Sequence, residues 1–143
     1  MATGPGFGTN VGWDFSLPVT SDWTNNQFTF VTYNGTTIAL AGAGALAWGV
    51  TQDNPNGSSN SNVMSQVRMG GPSKIKAAGS FNAGDKLSSN ASGQAVAYTA
   101  ATVYTGTPYT VSGTQVLGLA YEPSSTSSGY ITSMLFRPSG LSA

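Results

Sequence analysis

Nowhere in the 143 residues does an apolar spacing of i, i+3, i+4 persist long enough to define a helix. Short β-prone runs instead alternate with clusters of Gly, Pro, Asn and Ser, a pattern that leaves an all-β barrel or sandwich as the fold class. The clearest local signal is Asn34-Gly35, placed between Phe28–Tyr33 and Thr36–Ala41. An Asn-Gly pair accepts the positive φ angles of a two-residue type I′ turn, so these runs are expected to form a hairpin. Further strands are expected at Leu46–Gln52, Val63–Met69, Ser73–Ala78, Gln94–Ala100, Gln115–Glu122 and Tyr130–Arg137, with two short pieces in 101–114. Gly118 interrupts one run and marks a bulge or a close backbone approach. Met134, Leu135 and Phe136 are consecutive, which gives their strand two apolar faces and makes it a central or interface strand. Gly42–Ala47 supports one helical turn at most, because its glycines disfavour a helix interior.

The N-terminal part reads differently. Residues 1–10 are Gly-rich and aperiodic, whereas Val11, Trp13, Phe15 and Leu17 alternate with Gly12, Asp14 and Ser16 until Pro18. Period two puts the four large groups on one face of an extended strand. Two roles fit it: an edge strand packed on its own domain, or an arm that lays this face on a partner by adding a strand. The organisation expected is therefore an extended N-terminal arm over 1–27 and a single compact β-rich domain, barrel or sandwich-like, over 28–143.

Composition narrows the chemistry. The chain has no Cys and no His, which removes disulfides, thiolate catalysis, the common zinc sites and a base poised near neutrality. Absence of Cys also suits synthesis in a reducing cytoplasm. Only 7% of residues are charged, five basic against five acidic, where an ordinary domain has about 25%. So little charge promotes association, which suggests that much of the surface is covered in an assembly. No basic patch points to nucleic acid, no leader resembles a signal peptide, and no apolar run reaches membrane-spanning length.

One string invites a catalytic reading. Gly79-Ser-Phe-Asn-Ala-Gly84-Asp85-Lys86 approaches a phosphate-binding loop. That loop needs Lys directly after the second Gly, then Ser or Thr, then a helix. Here Asp85 intervenes, Leu87 replaces the hydroxyl, and Asn90 and Gly93 break any helix, so the string is read as turns between strands. The five carboxylates (Asp14, Asp22, Asp53, Asp85, Glu122) are scattered, and Asp53, Asn54 and Asn56 lack the later bidentate Glu of a calcium loop. No catalytic residue, cofactor or metal is expected. Among the aromatics, Trp48 lies mid-strand and is expected in the core. Trp13 and Trp23 sit in the N-terminal segment, where Trp serves as an interface anchor; exposed Trp and Tyr also suit stacking on sugars.

Three segments carry a family resemblance: GVTQDNP at 49–55, SKIKAAGSFNAGDKLSSNASGQAV at 73–96, and VLGLAYEPSSTSSGYITSMLFRP at 116–138. They resemble the small head-decoration, or capsid cement, proteins of tailed bacteriophages, in a pattern of Gly, Pro and strand residues spanning about residues 28 to 138. Segment 11–27 and the TVYTGTPYTV stretch depart from that pattern. The resemblance implies a non-enzymatic structural protein of the virion, on the outer surface of the bacteriophage head. It implies a homotrimer at local three-fold positions that clamps the major capsid protein, giving capsid stabilisation. The expected partner-binding residues are Val11, Trp13, Phe15, Leu17 and Trp23. The alternative is a glycan-binding or adhesion module of a virion fibre or surface protein.

Overall fold

The computed structural model describes residues 13–58, 62–100, 114–125 and 129–136. Val11 and the β-prone pieces within 101–113 lie outside the described residues. Among the described residues ten strands follow in chain order: β1 (Asp14–Pro18), β2 (Phe30–Tyr33), β3 (Ile38–Leu40), β4 (Gly49–Thr51), β5 (Met64–Arg68), β6 (Gly71–Ala77), β7 (Lys86–Ser89), β8 (Ala95–Ala97), β9 (Gly118–Ala120) and β10 (Tyr130–Phe136). The first five form an antiparallel sheet in the order β1-β5-β4-β2-β3, and the last five close a barrel in the order β10-β6-β8-β7-β9. All barrel pairings are antiparallel except β6 with β8. The all-β class is thus as expected, in a sandwich-like arrangement of sheet on barrel.

The hairpin at Asn34-Gly35 forms, but not with the expected turn. Tyr33 pairs with Ile38, leaving residues 34–37 as the loop. Gly35 takes a positive φ of 92° while Asn34 does not. Instead the Asn34 side-chain carbonyl accepts hydrogen bonds from the backbone N–H groups of Thr36 and Thr37, both at 2.9 Å. Asn34 closes the loop through its side chain, a local bond that Asn makes readily.

Alternation along the sheet strands sends side chains into two cores. Phe30 and Val50 join Ile75, Leu87, Leu117, Met134 and Phe136 in the principal core, between sheet and barrel. Their neighbours Val31 and Val67 face the other way and meet Val19, Trp23 and Ile38 in a second core. The Phe30 and Phe136 rings lie 6.1 Å apart across the sheet–barrel junction. Backbone bonds fasten the same junction: Phe30 N–H to Gly93 O and Lys76 N–H to Phe28 O, both 2.7 Å, and Gly44 N–H to Ser89 O, 2.8 Å. The buried hydroxyls of Thr29 and Thr51 are satisfied, each donating to Asn26 O at 2.7 Å, so they are not costly where they sit.

Barrel closure depends on the β9–β10 pairing, where Gly118 lies opposite Phe136. A Cβ at Gly118 would come within 2.1 Å of Leu135 O and 2.5 Å of the Met134 methyl. The glycine is therefore a close backbone approach, one of the two readings its position allowed. Gly118→Ala is expected to lower unfolding free energy by at least about 2 kcal/mol, since the backbone must move to admit the methyl. Gly42→Ala, where nothing lies within 4 Å, should change it by less than about 0.5 kcal/mol. Urea unfolding of both variants checks the contrast.

Candidate interaction surface

The string that approached a phosphate loop is a turn followed by a strand. Gly84 has a φ of +89°, the Asp85 carboxylate accepts from Asn82 N–H at 2.8 Å, and β7 starts at Lys86 where a nucleotide site needs a helix. Asp53 likewise serves the fold: its carboxylate accepts from Ser65 Oγ at 2.6 Å and from Gln66 N–H at 3.1 Å. Among the described residues no three or more acidic side chains gather into a metal-sized group.

The N-terminal alternation is part of the sheet. β1 pairs with β5 from Asp14↔Arg68 to Pro18↔Met64, and Met69 N–H extends the ladder to Trp13 O at 2.7 Å. β1 lies at the end of the strand order, so its outer edge has no strand neighbour among the described residues. Trp13, Phe15 and Leu17 share the face of the second core, and their exposure is graded. Leu17 packs against that core, whereas Phe15 is 51% exposed and Trp13 72% exposed. Residues 19–27 close over the Leu17 end and leave the Trp13 end open.

Two tryptophans exchange the places expected of them. Trp23 is 3% exposed, inside the second core, with its indole N–H donating to Ser21 Oγ at 2.9 Å and its backbone N–H to Pro55 O at 3.0 Å. It is a core residue and not a surface anchor, because it packs with Val19, Val31, Ile38 and Val67. Trp48 is half exposed and stands edge-on to Tyr33, ring centroids 5.6 Å apart. It lies just before β4, where Ala47 and Val50 are the groups that enter the principal core.

On the opposite face of β1, Asp14 and Arg68 form a two-armed ion pair, Nε to Oδ1 at 2.7 Å and Nη2 to Oδ2 at 2.9 Å. The hydrogen bond from Arg68 holds the Asp14 carboxyl below its ordinary value, so it locks β1 to β5 only while ionised.

The sequence reading missed a second surface, on the outside of the barrel. Ladder partners point the same way, so the row Lys86–Leu119–Leu135–Pro72 runs across four strands on one face. The next rows add Tyr121 beside Ser133 and Lys74, then Ile131 beside Lys76. Leu119, Tyr121 and Ile131 are 40%, 56% and 47% exposed. They form an apolar strip with Lys86 on one flank and Lys74 and Lys76 on the other. The available signal was the one-residue offset between exposed and buried positions in β9 and β10, visible only once their register is known.

Two predictions follow from burial and charge. Trp23→Ala is expected to destabilise the fold by about 3–5 kcal/mol, while Trp13→Thr with Phe15→Thr should cost under about 1 kcal/mol, as read by chemical denaturation. Folding lowers the Asp14 pKa, so the pair adds stability that is present above the unfolded value of about 3.9 and is lost as pH falls through the lower folded value. Asp14→Asn is expected to cost under about 1 kcal/mol at pH 7, because the pair is partly solvated. The difference should shrink as pH falls below about 3.9 in a pH series of unfolding curves.

No family model matches the chain, and no curated protein matches it. Among solved structures the chain is similar to the N base of head fiber gp8.5 in bacteriophage phi29, with a TM-score of 0.56 and 16% identity, over 87% of this chain and 93% of that one. At that identity the likeness is one of fold.

Proposed function

We propose that this protein is a non-enzymatic decoration, or cement, protein that binds the outer surface of a mature phage head and stabilises its lattice. The observation that carries this reading is the fold shared, over nearly the whole of both chains, with the base of a phage head appendage. It is supported by where the family-like segments fall: 49–55 contains β4, 73–96 runs from β6 into β8, and 116–138 contains β9 and β10. Those segments build most of the barrel.

Cementing works by mass action. A ligand that binds only the expanded lattice stabilises that lattice by its own binding free energy, and many modest contacts sum over the shell. The contact proposed is the open edge of β1, which adds a strand to a capsid subunit or a neighbouring copy, with Trp13 and Phe15 as anchors that become buried. Truncating such an aromatic anchor typically costs about 2 kcal/mol or more, about thirtyfold in affinity. A second reading, a glycan-binding or fibre-base module, draws on the exposed Trp48 beside Tyr33 and on the fiber origin of the similar structure. Binding on a glycan array without binding to heads would favour it.

The test uses purified heads that lack the protein. The unmodified chain is expected to decorate them to saturation, and Trp13→Thr with Phe15→Thr to leave occupancy at least tenfold lower at limiting protein. Equal occupancy of the two would remove β1 from the contact.

A further inference from the structure

We infer that Asn34-Gly35, at the tip of the β2–β3 loop, is a self-modifying site. In the folded protein Asn34 converts to an aspartyl or isoaspartyl residue without an enzyme, while the other Asn-Gly pair of the chain, Asn56-Gly57, is held inert. The inference does not depend on what the protein contacts on a head.

The reaction needs only water. The backbone nitrogen that follows the Asn, once deprotonated, attacks the side-chain carboxamide carbon, and the intermediate carries its negative charge on Oδ1. Collapse completes the new C–N bond of a cyclic succinimide and expels Nδ2 as ammonia. Water then opens the ring at either carbonyl. Opening at the main-chain carbonyl leaves an isoaspartyl link, in which the chain runs through the former side chain; opening at the other leaves aspartate. A water enters, an ammonia leaves, and nothing is oxidised or reduced.

Asn34, Asn56 and Asn90 each accept backbone N–H groups on Oδ1, the atom where that charge develops. Asn34 accepts from Thr36 and Thr37, both at 2.9 Å, Asn56 from Ser58 at 3.1 Å, and Asn90 from Ser92 and Gln94, both at 2.9 Å. Donors aimed at a developing oxyanion stabilise it. What separates the three is the attacking nitrogen. Gly35 is exposed, nothing lies within 4 Å of where its Cβ would stand, and its N–H has no hydrogen-bond partner among the described residues. Gly57 is buried, and its N–H donates to Ser21 O at 2.9 Å. It is packed so closely that an added Cβ would stand 2.7 Å from Val19 O. Asn90 is followed by Ala91, whose methyl group crowds the nitrogen.

The features that build the hairpin also create this lability. Gly35 sits at a φ of 92°, a conformation that favours glycine, and Asn34 closes the loop through its side chain. The loop therefore calls for the very pair that reacts. Its two products act differently. Aspartate keeps an oxygen acceptor for Thr36 and Thr37 and adds a negative charge to a chain whose net charge is zero. The isoaspartyl link lengthens the main chain and displaces that acceptor. This loosens Thr37, whose Oγ1 donates to Pro18 O at 3.0 Å, at the end of β1.

Peptide mapping by mass spectrometry tests this on the intact chain, incubated in mildly alkaline buffer made with heavy-oxygen water. Labelling by an isoaspartyl methyltransferase counts the isoaspartyl product. The peptide that contains Asn34 is expected to exchange an NH for a heavy oxygen, to become a methyl acceptor, and to do both faster as hydroxide rises. The peptide that contains Asn56 is expected to convert at least about tenfold more slowly, because Gly57 must first open away from Ser21 and Val19. In concentrated urea the two Asn-Gly pairs should convert at similar rates, since the contrast belongs to the fold. Four results would each overturn the inference: an Asn34 that stays intact in the folded protein, a rate indifferent to hydroxide, equal rates at the two pairs in the folded protein, or a contrast that persists in urea.

Discussion

The fold turns on a strand whose first two residues are buried on opposite faces. Phe30 and Val31 are adjacent in β2 and both fully buried, one against the barrel and one against the second core. A sheet with apolar groups on both sides must be covered on both sides. The barrel covers one, and residues 19–27 with the loop 53–58 cover the other. This makes the segment before β2 part of the domain: Val19 and Trp23 are as buried as barrel residues. On β1 this cover does not reach Trp13 and Phe15, which project from the domain.

That division of labour explains how a chain with so few charges remains specific in its contacts. The interior is built almost wholly from apolar packing and satisfied hydroxyls, with one ion pair, Asp14–Arg68, among the described residues. The closed barrel has no open strand edge, which removes the usual route to indiscriminate strand pairing. Among the described residues the open edges belong to the sheet, at β1 and β3. β3 is three residues long, so β1 is the better template for strand addition.

Much of this was legible from local pattern, and the failures share one physical cause. The Asn34-Gly35 turn and β-prone runs bounded by turn residues located the strands from β2 to β6, and β10 was recognisable as two-faced from Met134, Leu135 and Phe136. Lys86–Ser89 was not recognised as a strand, because it offers one apolar residue, Leu87, between polar ones. It is a barrel strand because Ser88 and Ser89 are nonetheless buried, and the Ser89 hydroxyl finds Asn90 O at 2.9 Å. Trp23 and Trp48 were misplaced for the complementary reason. Burial there is decided by what arrives from a distance, such as Val31, Ile38 and Val67 against Trp23, and local periodicity does not record long-range partners. The barrel strip escaped notice because its residues come from separate strands and become neighbours only in the register of β6, β9 and β10.

The most direct measurement of the central claim is the heat resistance of DNA-filled heads with and without the protein bound. Heads lacking it are titrated with the pure chain, and the temperature at which they release DNA is followed by dye fluorescence. A cement role predicts a release temperature that climbs with occupancy and levels off when the outer sites are full. A release temperature that stays flat while the protein saturates the head surface would contradict it.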